Sequence, residues 1–287
     1  MELTNLSVIK DVLGRNGFRF SKSKGQNFLT ASWVPERIAS ECTADKDTAV
    51  LEIGPGIGCL TQQLSYAAGN VLSLEVDEAL RPVLAETMAG CPNVEILFGD
   101  AMEQDLAKLL TERFGERRCV ACANLPYNIT TPVLSKLYGC EKLDTITVMI
   151  QREVARRLCA KPGTADYGAF TLFTQWYMEP EILFDVSPGC FIPQPKVTSS
   201  VIRLSRRSEP PARVKDEQLM FRLVRAAFNQ RRKTLVNALQ PALGGMSKAE
   251  IESCVASCGL DARVRGEVLG IPEFAALADV LSGSAFA

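Results

Sequence analysis

The stretch Leu51-Glu52-Ile53-Gly54-Pro55-Gly56-Ile57-Gly58 decides the fold. A short apolar run, Ala49 to Ile53, enters a turn with glycine at every second position, and Leu60, Leu64 and Ala68 then recur at helical spacing. A strand that passes through a glycine turn into a helix opens a βαβ unit. Gly54, Gly56 and Gly58 let the backbone turn tightly and approach a ligand closely. Glu75 stands 21 residues beyond Gly54, at the end of the next apolar run. A carboxylate there can accept two hydrogen bonds from a ribose diol, so the pair points to a nucleoside cofactor. The spacing Gly-x-Gly-x-Gly lacks the third glycine position of the dinucleotide fingerprint, and S-adenosylmethionine fits it better than NAD.

Outward from this stretch, β-branched apolar runs alternate with helical patterns, which predicts a parallel sheet covered by helices. The expected strands are 49–53, 70–75, 94–98, 119–123, 145–150, 181–186 and 200–204, about seven in one α/β layer system. Leu80, Val83, Leu84 and Met88 mark a further helix by their spacing. After Leu204 the strand signals stop, and Arg206 to Lys215, with Pro210 and Pro211, reads as a polar linker. Phe221, Val224, Phe228 and Leu235 then place one apolar stripe on a helix whose other faces carry Arg222, Arg225, Arg231, Arg232 and Lys233. Ser247 with Glu250 forms a capping box, and Gly259 is a C-terminal stop. The domain boundary is expected near residue 206, and no internal repeat interrupts the chain.

The composition excludes several classes. In 287 residues, 47% are hydrophobic and 23% charged, with 20 Gly and 15 Pro, which is the make-up of an ordinary globular protein and not of a disordered, collagenous or coiled-coil one. No window approaches a transmembrane helix, and the N-terminal residues resemble neither a secretory nor a transit signal, so a cytoplasmic protein without membrane contact is expected. Ten cysteines scattered through a chain of this length read as reduced, mostly buried thiols. The absence of histidine removes imidazole acid–base chemistry, the Ser-His-Asp and Cys-His nucleophiles and the HExxH zinc site. The Cys119–Cys122 pair lies in an expected buried strand without a second pair at zinc spacing, so no metal is expected. Residues 1–195 carry 18 basic and 24 acidic side chains, and residues 196–287 carry 14 and 9. With the N-terminal arm of Lys10, Arg15, Arg19, Lys22 and Lys24, this asymmetry marks two basic patches suited to a polyanion.

Two strand ends carry the remaining chemistry. Gly99-Asp100-Ala101 closes the third strand, where Asp100 can accept a hydrogen bond from an adenine amino group. Asn124-Leu125-Pro126-Tyr127 follows the run 119–123. An exocyclic amine on adenine is a poor nucleophile because its lone pair is delocalised into the ring. A catalyst gains by accepting hydrogen bonds from it, through the Asn124 side-chain oxygen and the Leu125 carbonyl, while Pro126 fixes the turn without a competing donor. Tyr127 offers a face on which an extruded base can stack.

With these residues in order, the chain resembles the ribosomal RNA adenine dimethyltransferase (rRNA adenine N-methyltransferase) family, and most of all its bacterial small-subunit, KsgA/RsmA, type. The matching segments are 25–29 (GQNFL), the GPGIG turn with Leu60-Thr61, Glu75-Val76-Asp77, 99–101, 124–132 (NLPYNITTP), 191–197 (FIPQPKV) and 227–235 (AFNQRRKTL). One departure is visible, Ala31 where the family usually has an acidic residue. The resemblance implies a Rossmann-like S-adenosylmethionine-dependent methyltransferase domain with a seven-stranded, mostly parallel sheet and a basic arm over residues 1–206. A small all-helical, basic RNA- and ribosome-binding domain follows over residues 207–287. It further implies that Asn27, Leu29, Gly54, Glu75, Asp100 and Asn124, with Gln26, Gly56 and Ala101 beside them, contact S-adenosyl-L-methionine. Asn124, Leu125, Pro126 and Tyr127 would present the target adenine, with Phe191 stacked on its opposite face.

The expected activity is dimethylation of the exocyclic amino groups of two adjacent adenosines in the 3′-terminal hairpin loop of small-subunit (16S) rRNA. The enzyme would act as a monomer on pre-30S particles during subunit biogenesis, without metal. Three alternatives stay open on sequence: a large-subunit rRNA adenine methyltransferase of the antibiotic-resistance type, a non-catalytic ribosome-assembly or transcription factor on the same fold, and an NAD-dependent enzyme.

Overall fold

The computed structural model describes residues 1–18 and 27–285; Gln26 and the arm residues Arg19, Lys22 and Lys24 lie outside the described residues. The chain begins with helix α1 (Leu6–Arg15), strand β1 (Phe28–Leu29) and helix α2 (Trp33–Glu41). An alternating series follows: β2 (Ala49–Ile53), α3 (Cys59–Ala67), β3 (Asn70–Glu75), α4 (Arg81–Thr87), β4 (Val94–Phe98), α5 (Leu106–Phe114), β5 (Cys119–Asn124), α6 (Thr130–Tyr138) and β6 (Leu143–Gln151). Next come α7 (Arg152–Leu158), α8 (Ala169–Tyr177), β7 (Met178–Val186), β8 (Phe191–Ile192) and β9 (Ser199–Arg206). Four further helices complete the chain: α9 (Glu217–Asn229), α10 (Leu235–Leu239), α11 (Lys248–Ser257) and α12 (Ile271–Ala285).

Seven strands form one sheet in the order β4-β3-β2-β5-β6-β9-β7. β2 pairs in parallel with β3 and β5, β3 with β4, and β5 with β6, while β9 runs antiparallel to β6. Every residue of β2 is buried, which is why its sequence is apolar apart from Glu52 and does not alternate. All seven strands expected from sequence are present. Those over 49–53, 70–75 and 94–98 have the expected bounds, and β6, β7 and β9 run further at their ends.

The sheet grows outward from β2 in two directions, through β3 and β4 on one side and through β5 and β6 on the other. Open α/β sheets bind ligands at the carboxyl ends of the strands where the order reverses in this way. Gly54, which follows β2, and Asn124, which ends β5, both fall at that edge. A two-stranded antiparallel pair adds to it: β1 meets β8 with Phe28 opposite Ile192 and Leu29 opposite Phe191. The Thr30 N–H extends the pairing by donating to the Cys190 carbonyl at 2.8 Å.

The described chain separates into two compact units, residues 1–155 with 180–206 and residues 156–179 with 207–287. Residues 156–179, which the sequence reading includes in the domain over 1–206, therefore pack with the helical unit. The reason is the aromatic content of α8. Phe173 and Trp176 meet Phe221 of α9 edge-on at 5.3 and 6.0 Å, in a cluster with Leu223, Val224, Leu235, Ile251 and Phe274.

The Asp216 side chain caps α9 by accepting from the Leu219 N–H at 2.8 Å. The expected box at the start of α11 is present, with Ser247 and Glu250 bonded reciprocally, and Gly259 follows α11 at φ +73°. The Arg-rich stripe needs correction. α9 stops at Asn229 and Leu235 opens α10, so Arg231, Arg232 and Lys233 lie in the turn between two helices. Tertiary bonds hold that turn: the Arg231 guanidinium donates to the Thr164 and Ala165 carbonyls at 2.9 Å each and pairs with Glu267 at 2.6 Å. No described helix is long and apolar enough to cross a membrane.

Candidate active site

A cavity of about 390 Å³ opens at the carboxyl edge of the parallel strands in the first unit. Its walls come from the glycine turn, the ends of β3 and β4, the segment 27–29, and Asn124 to Ile129. The volume lies in the usual range for a small-molecule site.

The glycine turn is built as its sequence demands. Gly54 and Gly56 have φ of +71° and +61°, a region that residues with a Cβ rarely adopt. A Cβ added at Gly54 would meet no atom within 4 Å, so this cavity-lining backbone faces open space, whereas one at Gly56 would press on the Phe28 ring at 3.2 Å. The missing side chain at Gly54 thus leaves a cradle, and that at Gly56 allows close packing against β1.

Glu75, at the end of β3, is only 5% exposed. One of its oxygens accepts from the Asp77 N–H at 2.7 Å, the other from the Gly56 N–H at 3.3 Å. Burial raises its pKa, and the two backbone N–H groups oppose that rise. The carboxylate is therefore fixed in orientation and keeps lone pairs for a diol. Next to it, the Gly99 N–H donates to the Glu75 carbonyl at 2.8 Å, and the exposed Asp100 accepts from the Met102 N–H at 2.8 Å in a tight Asx turn. Ala101 lines the same wall. Two apolar side chains to which the sequence reading gave no role stand beside these acids: Val76 is 59% exposed and Met102 is 39% exposed, and both line the cavity. Their signal was an apolar residue one or two positions past an acidic strand end.

Asn124 ends β5. Its Nδ2 donates to the Asn27 carbonyl at 3.4 Å, which turns Oδ1 to other use. The Leu125 N–H donates to Met149 of β6 at 3.1 Å, pinning the loop to the sheet. The Pro126 carbonyl accepts from the Ile129 N–H and the Thr130 hydroxyl, each at 3.2 Å, and neither bond uses the Leu125 carbonyl. Tyr127 is half-buried and its hydroxyl shares a 2.7 Å hydrogen bond with Ser199 Oγ at the start of β9. Burial is the main cause that raises the Tyr127 pKa.

The structure thus brings Asn27, Leu29, Gly54, Gly56, Glu75, Asp100, Ala101, Asn124, Leu125, Pro126 and Tyr127 around one cavity. Gln26 lies outside the described residues. Phe191 is not among the lining residues: it is 3% exposed, opposite Leu29 in the β1–β8 pair and inside the apolar core. Glu52 does line the cavity and was not singled out for a role. At the position of the Ala31 departure, Ser32 precedes α2 and its side chain makes no capping bond. The combination of a diol acceptor, apolar walls, a backbone cradle and asparagine side chains suits an adenosine that carries a short polar tail.

The family described as Ribosomal RNA adenine dimethylase matches residues 17–257. Relatives include the protein named ribosomal RNA small subunit methyltransferase A of Geobacillus thermodenitrificans, 46% identical over 277 residues that cover 95% of this chain and 94% of that one. The protein of the same name from Alkaliphilus oremlandii is 43% identical, with 95% and 96% covered. Among solved structures, the 23S rRNA methyltransferase ErmE superposes with a TM-score of 0.67 at 26% identity, over 89% of this chain and 99% of that one. A dimethyladenosine transferase from Plasmodium falciparum, at 22% identity and a TM-score of 0.69, shares the fold over 87% and 95%. The chain belongs to the ribosomal RNA adenine dimethylase family.

Proposed function

We propose that this protein transfers methyl groups from S-adenosylmethionine to the exocyclic amino groups of two adjacent adenosines in the 3′-terminal hairpin loop of small-subunit rRNA, two to each, in pre-30S particles. The observation that carries the reading is the meeting of Asn124 to Tyr127 with the glycine turn and Glu75 in one cavity at the switch point of the sheet. The small-subunit assignment draws support from the relatives of that name, which match nearly end to end.

S-adenosylmethionine supplies a methyl group activated by a sulfonium. Glu75 holds the ribose diol, Asp100 the adenine edge, and Val76 and Met102 enclose the base. The Gly54 cradle and Asn27 receive the amino-acid tail. Asn124 Oδ1 and the Leu125 carbonyl accept hydrogen bonds from the amino group of the target adenine, drawing its lone pair out of ring conjugation and toward the methyl group. Catalysis then comes from alignment and from acceptors placed for the developing charge. Tyr127 presents the stacking face. The stacking role that the resemblance implies for Phe191 requires its ring to leave the core, so we assign the exposed face to Tyr127 alone. In the helical unit, the exposed Arg222 and Arg225 of α9 and Arg232 and Lys233 of the following turn are suited to RNA phosphates.

The Ser199 bond gives Tyr127 its ring orientation. Ser199→Ala is expected to lower methyl transfer about threefold to tenfold with cofactor affinity unchanged, which is the scale of one neutral hydrogen bond. Tyr127→Phe should match it, and the double variant should lose no more than either; additive losses in steady-state kinetics would separate the two residues.

The likeness to the 23S rRNA methyltransferase ErmE supports a second reading, methylation of large-subunit rRNA. Counting label transferred from S-adenosylmethionine to unmethylated small-subunit particles and, separately, to large-subunit rRNA decides between them. Label in the first and not the second is the expected result; label only in the second contradicts the main reading.

A further inference from the structure

Glu52 is a carboxyl to which the proposed transfer assigns no role. It interrupts the apolar strand β2, is 1% exposed and lines the cavity two residues before Gly54. Burying a carboxylate is costly unless hydrogen bonds and a counter-charge compensate it. The bonds are present. Thr61 Oγ1 of α3 and Ser73 Oγ of β3 both donate to the same oxygen, Oε2, at 2.7 and 2.6 Å. A counter-charge is not. The titratable groups facing Glu52 among the described residues are the Cys59 thiol from α3, the Glu75 carboxyl from β3 and the Cys122 thiol from β5, none of them a cation.

On the cofactor reading above, on which this inference rests, the ligand supplies what the protein lacks. S-adenosylmethionine carries a net positive charge, and its demethylated product, S-adenosylhomocysteine, is a neutral thioether zwitterion. We propose that Glu52 is a specificity-determining residue that makes the site prefer the sulfonium cofactor to its thioether product. As an anion in a low-dielectric cavity it attracts the cation, and once the methyl group has left it faces a product without net charge, so product is held less tightly and released. No bond to Glu52 forms or breaks.

The environment makes the preference adjustable. Burial pushes the Glu52 carboxyl up to about 7, with Glu75 adding to the rise and the Thr61 and Ser73 hydroxyls opposing it. Below that pH the group is neutral and the preference falls away; above it the group is ionised and the preference is complete.

The test is calorimetric titration of the full chain with S-adenosylmethionine and with S-adenosylhomocysteine, from about pH 6 to about pH 8.5. In the wild type, preference for the cofactor over the product should grow roughly tenfold across that range, the scale of a unit charge pair several ångströms apart in a partly screened site. Glu52→Gln keeps an oxygen for both hydroxyls but cannot ionise, and should stay at the low-pH preference throughout. Titration of the ligands themselves is common to both proteins and cancels in the comparison. Ser73→Ala, which removes one bond to the anion, should move the wild-type midpoint to higher pH, and serves alone if the glutamine variant does not fold. A glutamine variant whose preference follows the wild type, or a midpoint indifferent to Ser73, overturns the proposal. Failure of the wild type to bind either ligand at any pH would instead overturn the cofactor reading.

Discussion

Asn124→Ala should lower methyl transfer by about 10²–10³-fold, the usual loss when one preorganised polar group at a reacting centre is removed. The residue ends β5 beside the glycine turn, and its Nδ2 is engaged by the Asn27 carbonyl at 3.4 Å. That bond fixes which end of the amide faces the cavity. Alanine removes the acceptor for the target amine and frees the 27–29 segment from β5, so cofactor affinity should fall too, but by less than the rate. Single-turnover kinetics at saturating cofactor separates the two effects. A variant that methylates rRNA at the wild-type rate would show that Asn124 is not the acceptor.

Glu75→Gln should weaken S-adenosylmethionine binding by roughly 10²-fold, since hydrogen bonds to a charged group contribute about 1.5 to 3 kcal/mol each. The substitution is more disruptive than its size suggests. Both carboxylate oxygens already accept backbone N–H groups, from Asp77 and Gly56. An amide must turn its NH₂ toward one of them, donor against donor, which loosens either the glycine turn or the end of β3. At saturating cofactor the methyl-transfer rate should return to within a few-fold of wild type. Unchanged affinity in calorimetry would remove Glu75 from the cofactor site.

The central parallel strand was legible because a strand buried on both faces is made almost wholly of β-branched and apolar residues, as in 49–53 with its one exception, Glu52, and the edge strand 94–98 because Val94, Ile96, Leu97 and Phe98 still outnumber Glu95. The extensions of β6 and β9 into polar residues, such as Gln151 and Arg206, depend on partners across the sheet. The two-residue pairing of Phe28 and Leu29 with Phe191 and Ile192 is a tertiary event with no local periodicity, and it is what buries Phe191. The break between α9 and α10 was hidden because the apolar stripe from Phe221 to Leu235 continues in helical register across it. Contacts of Arg231 with residues far away in sequence set the turn. The grouping of α8 with the helical unit follows from aromatic packing that chain order cannot reveal.

Within the candidate site, Gly54, Glu75 and Asn124 were legible since each sits at a strand end where backbone geometry and chemistry coincide. Glu52 was quoted in the opening stretch without a role. Only the structure shows that it lines the cavity while buried, with two hydroxyls on one of its oxygens. Val76 and Met102 escaped because exposed apolar residues are common on protein surfaces, and position alone gives them meaning.

The central claim is that this cavity delivers methyl groups to adenine amino groups of small-subunit rRNA. Mass-spectrometric mapping of small-subunit rRNA, after incubation of unmethylated particles with the protein and S-adenosylmethionine, tests it most directly. The account predicts dimethyladenosine at two adjacent positions of the 3′-terminal hairpin loop, formed about 10²–10³-fold more slowly with Asn124→Ala. Methylation at another base or another nucleobase atom, or cofactor binding without any transfer, would contradict it.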